Sequence, residues 1–179
     1  MNHEQGSDIY LVKPTNLYKE KVLAYKKEFA ENNEYISGSA SLGSADTYEL
    51  WLANVDDEKF NNPKAKRVAA TQYLVIRKSD RKLIGMVSIR HELNDYLGQY
   101  GGHIGYSVRK SERRKGYATQ ILKLALAYCH SLGIKRVLVT CDKENIGSAT
   151  VIRSNGGKLE NEVIDDDRAT IQRYWITIQ

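Results

Sequence analysis

The sequence predicts an α/β fold in which one mixed sheet is flanked by helices. Three observations carry that prediction. Short runs of β-favouring residues alternate with amphipathic stretches along the chain. Gly, Asn, Asp and Ser clusters separate the runs. A strand–helix–strand unit spans Ile104 to Thr140, which should be a right-handed crossover between parallel strands. The 179 residues fit one domain, residues 1–179, with no internal linker and length enough for a sizeable core.

The elements follow in order. Ile9 to Val12 is a short apolar run ended by Lys13-Pro14, a first strand. Thr15 and Asn16 are helix-capping types, and Leu17, Tyr18, Val22, Tyr25 and Phe29 recur at helical spacing, so a helix should run from Asn16 to about Asn32. Gly38 to Ser44 is a loop. Asp46 should cap a second helix carrying Tyr48, Leu50, Trp51, Leu52 and Val55, with Pro63 closing the helical region. Thr71–Ile76 and Leu83–His91, around the polar turn Lys78–Arg81, read as a hairpin. A Gly- and Tyr-containing loop, Asn94 to Gly102, leads to a strand through Ile104, Tyr106 and Val108.

The period then changes. Ala118, Ile121, Leu122, Ala125, Cys129 and Leu132 form a helical stripe within Gly116–Leu132, stopped by Gly133. Arg136–Thr140 is a strand, Asn145–Ser154 a shorter helix, and Leu159–Ile164 and Thr170–Ile178 two final strands around Asp165–Asp167. The expected order is β-α-α-β-β-β-α-β-α-β-β.

Composition narrows the function classes. Net charge is +5, from 27 basic and 22 acidic residues, and both signs are spread along the chain. The basic residues are too few, and lack an aromatic stacking platform, for nucleic-acid binding to be expected. Cys129 and Cys141 have no metal-ligand spacing and are too few for a disulfide scaffold, so reduced thiols and no metal are expected. The N-terminus lacks the basic start and apolar run of a signal peptide. No segment approaches ~18 consecutive apolar residues, so no membrane partner is expected. A cytoplasmic location is the resulting expectation.

Arg113-Arg114-Lys115-Gly116-Tyr117-Ala118 opens the helix after the strand and a polar loop. The first turn of a helix has amides without intrahelical partners, at the positive end of the dipole. An anion such as phosphate fits there. Gly116 and Ala118 keep the approach open, and three cations add charge. A plain turn glycine beside a solvated cluster would look the same from spacing alone.

Arg113-x-x-Gly116-x-Ala118 resembles the (Q/R)-x-x-G-x-(G/A) signature of the GNAT superfamily of N-acetyltransferases. The resemblance continues without gaps over about fifty residues. The strand Arg136–Thr140, Asn145-Ile-Gly-Ser148 and Asn155-Gly156 fall where the family has its fifth strand, its Asn and its helix-ending Gly. Element order agrees over almost the whole chain.

The resemblance implies a GNAT-like fold with a splayed pair of parallel central strands. It also implies transfer of acetyl from acetyl-CoA to a primary amine, by direct attack in a ternary complex. Tyr106, Ser107 and Val108 would then contact the pantetheine arm through their backbone, with the Val108 amide near the thioester carbonyl. Arg113, Arg114, Lys115, Gly116, Tyr117 and Ala118 would hold the pyrophosphate through N–H groups. Asn145 matches the family's Asn, and Ser148 lies one turn later. Asn145 is equally a helix N-cap type, and Ser148 a small helix residue. Homodimers are common in the family.

One departure stands out. Many members have a Tyr seven residues after the Asn, as general acid toward the thiolate. Here that residue is Ile152, and the family's following Phe is Gly157. A non-catalytic acyl-CoA-binding module is therefore the alternative. The general base is not fixed by motif. Glu92 is the first candidate and His103 the second, with His91 beside them. Surface polar residues at strand ends would look the same. Tyr48, Trp51 and the Tyr96–Tyr100 loop are candidates to shape the acceptor pocket, and Asp46, Asp56, Asp57 and Asp95 could favour a cationic acceptor.

Overall fold

The alternating runs become strands, and those of the first sheet are covered on both faces. The computed structural model describes residues 7–62, 64 and 66–178. In chain order they form β1 (Ile9–Val12), α1 (Lys19–Glu31), α2 (Tyr48–Asp57), β2 (Ala70–Arg77), β3 (Leu83–Arg90), β4 (Ile104–Val108), α3 (Tyr117–Ser131), β5 (Arg136–Asp142), α4 (Ile146–Ser154), β6 (Lys158–Ile164) and β7 (Thr170–Thr177). This is the predicted order.

Several ends move for identifiable reasons. Asn16–Tyr18 is a single tight turn, and α1 proper starts at Lys19. Thr47, not Asp46, caps α2: its extended backbone lets its hydroxyl accept from the Leu50 amide at 3.2 Å. Pro63 lies outside the described residues, and α2 has already ended at Asp57. The loop after β3 contains a wide helical turn, Leu97–Gly101, whose Leu97 amide donates to Asn94 Oδ1 at 2.9 Å. Polar residues and glycines hid that turn from the periodicity.

Two antiparallel sheets result, a four-stranded one in the order β1-β2-β3-β4 and a three-stranded one in the order β5-β7-β6. β4 and β5, the strands that α3 connects, share no ladder. They meet at one end. The His103 amide donates to the Leu138 carbonyl at 2.7 Å, and the Leu138 amide donates to His103 Nδ1 at 3.0 Å. Beyond that seam the sheets diverge, which is the expected splay.

Strand alternation gives the first sheet two cores. Leu74, Ile76 and Met86 face α1 and α2, against Val22, Tyr25, Phe29 and Trp51. Val75, Ile84, Val87 and Ile89 face Ile121, Leu122 and Ala125 of α3, with Val137, Val139, Ile152 and Tyr174. Tyr48 and Trp51 are buried in the first core, Trp51 completely, with its indole N–H donating to the Ser39 carbonyl at 2.7 Å. They are framework, not pocket. Each such large side chain contributes roughly 1.5–3 kcal/mol through burial. No described helix is long and apolar enough to cross a membrane.

Candidate active site

The loop before α3 is held so that its amides stay free. Arg114 and Gly116 adopt left-handed backbone, with φ of +61° and +79°. That turns successive peptides, and Gly116 becomes the N-cap of α3. Among the described residues the amides of Arg114 through Thr119 have no hydrogen-bond acceptor; the first intrahelical bond comes from Gln120 to the Gly116 carbonyl. A Cβ on Gly116 would meet nothing within 4 Å. Space and a cluster of donors at a helix start coincide here.

The three cations divide. The Arg113 guanidinium donates to the Val108 carbonyl at 2.9 Å, pairs with Glu34 and lies over the Phe29 ring. Lys115 pairs with Glu112 at 2.8 Å. Only Arg114 is left without a carboxylate within 4 Å among the described residues. Glu112 is almost fully buried and also binds Arg77 at 2.7 Å and Lys82 at 2.6 Å. Burial would raise its pKa, but these three cations outweigh it and hold it at about 2. Two of the predicted phosphate cations therefore brace the loop, which leaves its backbone to face outward.

β4 supplies a second row of donors. Its register with β3 pairs Gly105 with Ser88 and Ser107 with Met86, while Arg90 donates to the His103 carbonyl and Arg109 to the Ile84 carbonyl. That pattern makes the odd residues the ones bonded to β3. The backbone groups of Tyr106 and Val108 point the other way, into the gap left by β5. Ser107 faces the opposite core, where its hydroxyl accepts from the Tyr25 hydroxyl at 3.0 Å.

Across the gap stands α4. Asn145 caps it, its side chain accepting from the Ser148 amide at 3.0 Å. The Tyr106 hydroxyl and Ser148 Oγ share a hydrogen bond of 2.8 Å. Burial pushes the Tyr106 phenol up to about 12, against the bond from Ser148. Ile152 is fully buried in the α3 core. A Cβ at Gly157 would lie 2.4 Å from Ile152 Cγ2. The two departures from the family pattern are therefore one packing unit: Ile152 fills the space, and only glycine fits beside it.

A cavity of about 210 Å3 opens on the α1/α2 side of the sheet, lined by Gly38, Glu58, Arg67, Ser88, Arg90 and Tyr96 among others. It abuts β4 where the sheets part. Gly38, at φ +63°, packs so closely that a Cβ there would lie 2.0 Å from the Gly105 carbonyl oxygen and 2.6 Å from the Tyr106 nitrogen.

The predicted bases stand elsewhere. Glu92 is exposed beyond the end of β3 and outside this lining. His91 faces the α3 side, where Nε2 meets Thr71 Oγ1 at 2.8 Å. His103 is buried with Nδ1 occupied by the Leu138 amide, and burial lowers its pKa, so it acts as a neutral strut. Sequence reasoning passed over Glu58 and Arg90. Glu58 is half-buried in the lining, and burial raises its pKa although Arg90 and Arg67 pull it down. Nothing in the helical period marks Glu58; the strand alternation that sends His91 away does turn Arg90 inward.

Comparison with known proteins agrees with this architecture. A family model described as "Acetyltransferase (GNAT) domain" matches residues 14–158. The "Uncharacterized N-acetyltransferase YnaD" of Bacillus subtilis (strain 168) is 28% identical over 106 residues, 59% of this chain and 60% of that protein's length. Among solved structures, the microcin C7 self-immunity acetyltransferase MccE in complex with acetyl-CoA and AMP superposes with a TM-score of 0.70 at 20% identity, covering 97% of this chain and 94% of that one. RimL, a ribosomal L7/L12 alpha-N-protein acetyltransferase in complex with coenzyme A, gives 0.68 at 18%, covering 97% and 96%. Mutant forms of the spermidine/spermine N-acetyltransferase SpeG from Vibrio cholerae give 0.67 at 16%, covering 96% and 95%. At these identities the likeness is one of fold, and it spans proteins with very different acceptors. Since the family model covers most of the chain and the splayed sheet carries its cofactor-side geometry, the chain belongs to the GNAT superfamily of acetyltransferases.

Proposed function

We propose that the protein moves an acetyl group from acetyl-CoA to a primary amine, by direct attack of the amine in a ternary complex. One observation carries this reading: the unpartnered amides of Arg114–Thr119 continue, along one side of an open cleft, into the inward-facing backbone of Val108 and Tyr106. Acetyl-CoA supplies the thioester. The helix start holds the pyrophosphate, chiefly through main-chain donors with Arg114 as the free cation. From there the cleft passes Val108 first and Tyr106 next, toward the seam. Tyr106's amide is therefore the deeper one and the better placed to hold negative charge on the acetyl oxygen, a role first expected of Val108.

Proton handling follows from the same geometry. The Tyr106–Ser148 pair bridges the cleft and stands where a thiolate can take a proton, in place of a residue at Ile152. Asn145 fixes the start of α4 and thereby Ser148. Glu58, raised by burial and in the cavity beside β4, is suited to take the amine's proton, in preference to Glu92 or His103.

Isothermal calorimetry with acetyl-CoA, followed by a free-thiol assay over a panel of amines, tests the proposal. Binding plus amine-dependent thiol release is the expected result. No binding would overturn it. The packing of Ile152 favours a second reading, an acyl-CoA-binding module, which predicts binding without thiol release on any amine.

A further inference from the structure

Most half-buried arginines of this protein are neutralised by a carboxylate. Arg77 pairs with Glu112 and Asp80, Arg109 with Glu28, Arg113 with Glu34, and Arg173 with Glu160. Arg90, in the cavity, is an exception. Its Nη1 donates to the main-chain carbonyls of Gly101 at 3.1 Å and Gly102 at 3.3 Å. No carboxylate of the described residues comes within 4 Å of it. A guanidinium has five N–H donors, so those on Nε and Nη2 remain without a protein acceptor. Burial is sufficient to lower the Arg90 pKa. The Glu58 charge opposes that shift without reaching ion-pair distance; a partly desolvated charge with no paired carboxylate is costly, and a ligand's anion in contact with it lowers that cost.

Two further cations line the same cavity. Arg67 and Lys66 also have no carboxylate within 4 Å among the described residues. Among the described residues Glu58 is the one acid in the lining. The cavity is thus positive overall, with a single acid set against it. Arg90 also lies over the β4 backbone: a Cβ on Gly105 would be 3.5 Å from its Nη1. The unpaired guanidinium is therefore next to the Tyr106 peptide, where the cleft reaches the cavity.

Resting on the acetyltransferase reading above, we propose that the acceptor is a small amine carrying an oxyanion, a carboxylate or a phosphate, which Arg90 and Arg67 bind. Its amine faces Glu58. The planar fork of an arginine matches both oxyanions. At about 210 Å3 the cavity is below the ~300–1,000 Å3 usual for drug-sized ligands, which suits a small acceptor or the end of a larger one. Polyamines and other purely cationic acceptors are disfavoured by like charge. In the transfer, the amine nitrogen bonds to the acetyl carbon as the carbon–sulfur bond breaks. The amine gives up its proton and the departing thiolate gains one.

The test uses matched acceptors with the full-length protein and a free-thiol readout: α-amino acids against their C-terminal amides, O-phosphoethanolamine against ethanolamine, and spermidine. The anionic member of at least one pair should exceed its neutral partner by about tenfold or more in kcat/KM, an order of magnitude typical of one charged hydrogen bond. Which pair responds distinguishes carboxylate from phosphate. Arg67→Gln, whose side chain braces nothing in the fold, and Arg90→Lys should erode that preference through the acceptor's KM while leaving the KM for acetyl-CoA within about twofold. The Arg90 Nε–H resonance should shift on titration with the preferred anionic amine and not with its neutral partner. Equal or better turnover of the neutral amines or spermidine overturns the inference and leaves the acetyltransferase reading standing. Failure to bind acetyl-CoA removes both.

Discussion

The two ends of the β4 cleft are built by different means. At the α3 end the proposed recognising groups are main-chain amides from one contiguous stretch, and the nearby side chains mostly brace them from behind. At the other end the proposed recognising groups are side chains, in a lining brought together from the end of α2, β2, β3 and three loops. The first design suits a constant partner, because a backbone amide is the same whatever residue carries it. The second suits a variable one, because each side chain can change without disturbing its neighbours. A fold that keeps one ligand and exchanges the other is expected to divide its labour this way.

Substitutions can break or sharpen this contrast. The largest effect is expected at the side-chain end: Glu58→Gln should lower kcat by about 100-fold or more if Glu58 takes the amine's proton. Wild-type activity should fall as the pH drops through the Glu58 pKa, which lies above the ordinary carboxylate value. The variant should lose that limb, and an unchanged pH profile would assign the base elsewhere.

Next is the brace behind the main-chain end. Glu112→Ala leaves Arg77, Lys82 and Lys115 without their shared partner and should cost on the order of 3 kcal/mol in denaturant unfolding at neutral pH. The folded pKa of about 2 is depressed from an unfolded value near 4.5. Glu112 thus stabilises the fold fully above about pH 5, and that contribution, roughly 2–3 kcal/mol, is lost as pH falls toward 2. The variant should show a flatter acid limb, and an acid limb as steep as the wild type's would show that Glu112 is not the brace.

A paired comparison at the loop comes third. Gly116→Ala places a Cβ on left-handed backbone, costing about 1–2 kcal/mol, and should weaken acetyl-CoA binding about tenfold by calorimetry. Arg114→Ala removes the free cation but no amide, and should weaken it only about threefold at moderate salt. The reverse ranking would mean that charge, not backbone, holds the anion.

The smallest and most local effect is an alternation in amide exchange. Gly105 and Ser107 should be protected with or without cofactor, while Tyr106 and Val108 should exchange quickly alone and slow when acetyl-CoA binds. Uniform protection along β4 would contradict the assigned register.

What the sequence disclosed follows the same division. The α3 end was legible because its ingredients are adjacent: strand, loop, glycine, helix start. Element order was legible because each strand and helix carries its own period. The engagement of Arg113 and Lys115 by Glu34 and Glu112 was not legible, because the spacing of the two carboxylates reveals nothing. The cavity was not legible at all. Its lining runs from Tyr35 to Leu97, and no local pattern couples Glu58 to Arg90. His91 and Glu92 drew attention as ionisable neighbours at a strand end, yet strand alternation and the early end of β3 placed both outside the lining. Ile152 marked an absent acid, but its coupling to Gly157 appears only as a distance.

The seam at His103 gives the protein a mechanical property. A ladder between β4 and β5 would join them with many bonds acting in parallel, whereas here the His103 amide and the His103 imidazole lone pair join the two strands at one end, and the core beneath α3 spans both sheets. Because the Leu138 amide donates to Nδ1, the ring proton resides on Nε2, and that second bond of the seam holds only while the imidazole is neutral. Beyond the seam no ladder bond between β4 and β5 sets the width of the gap; the core that α3 shares with both sheets does.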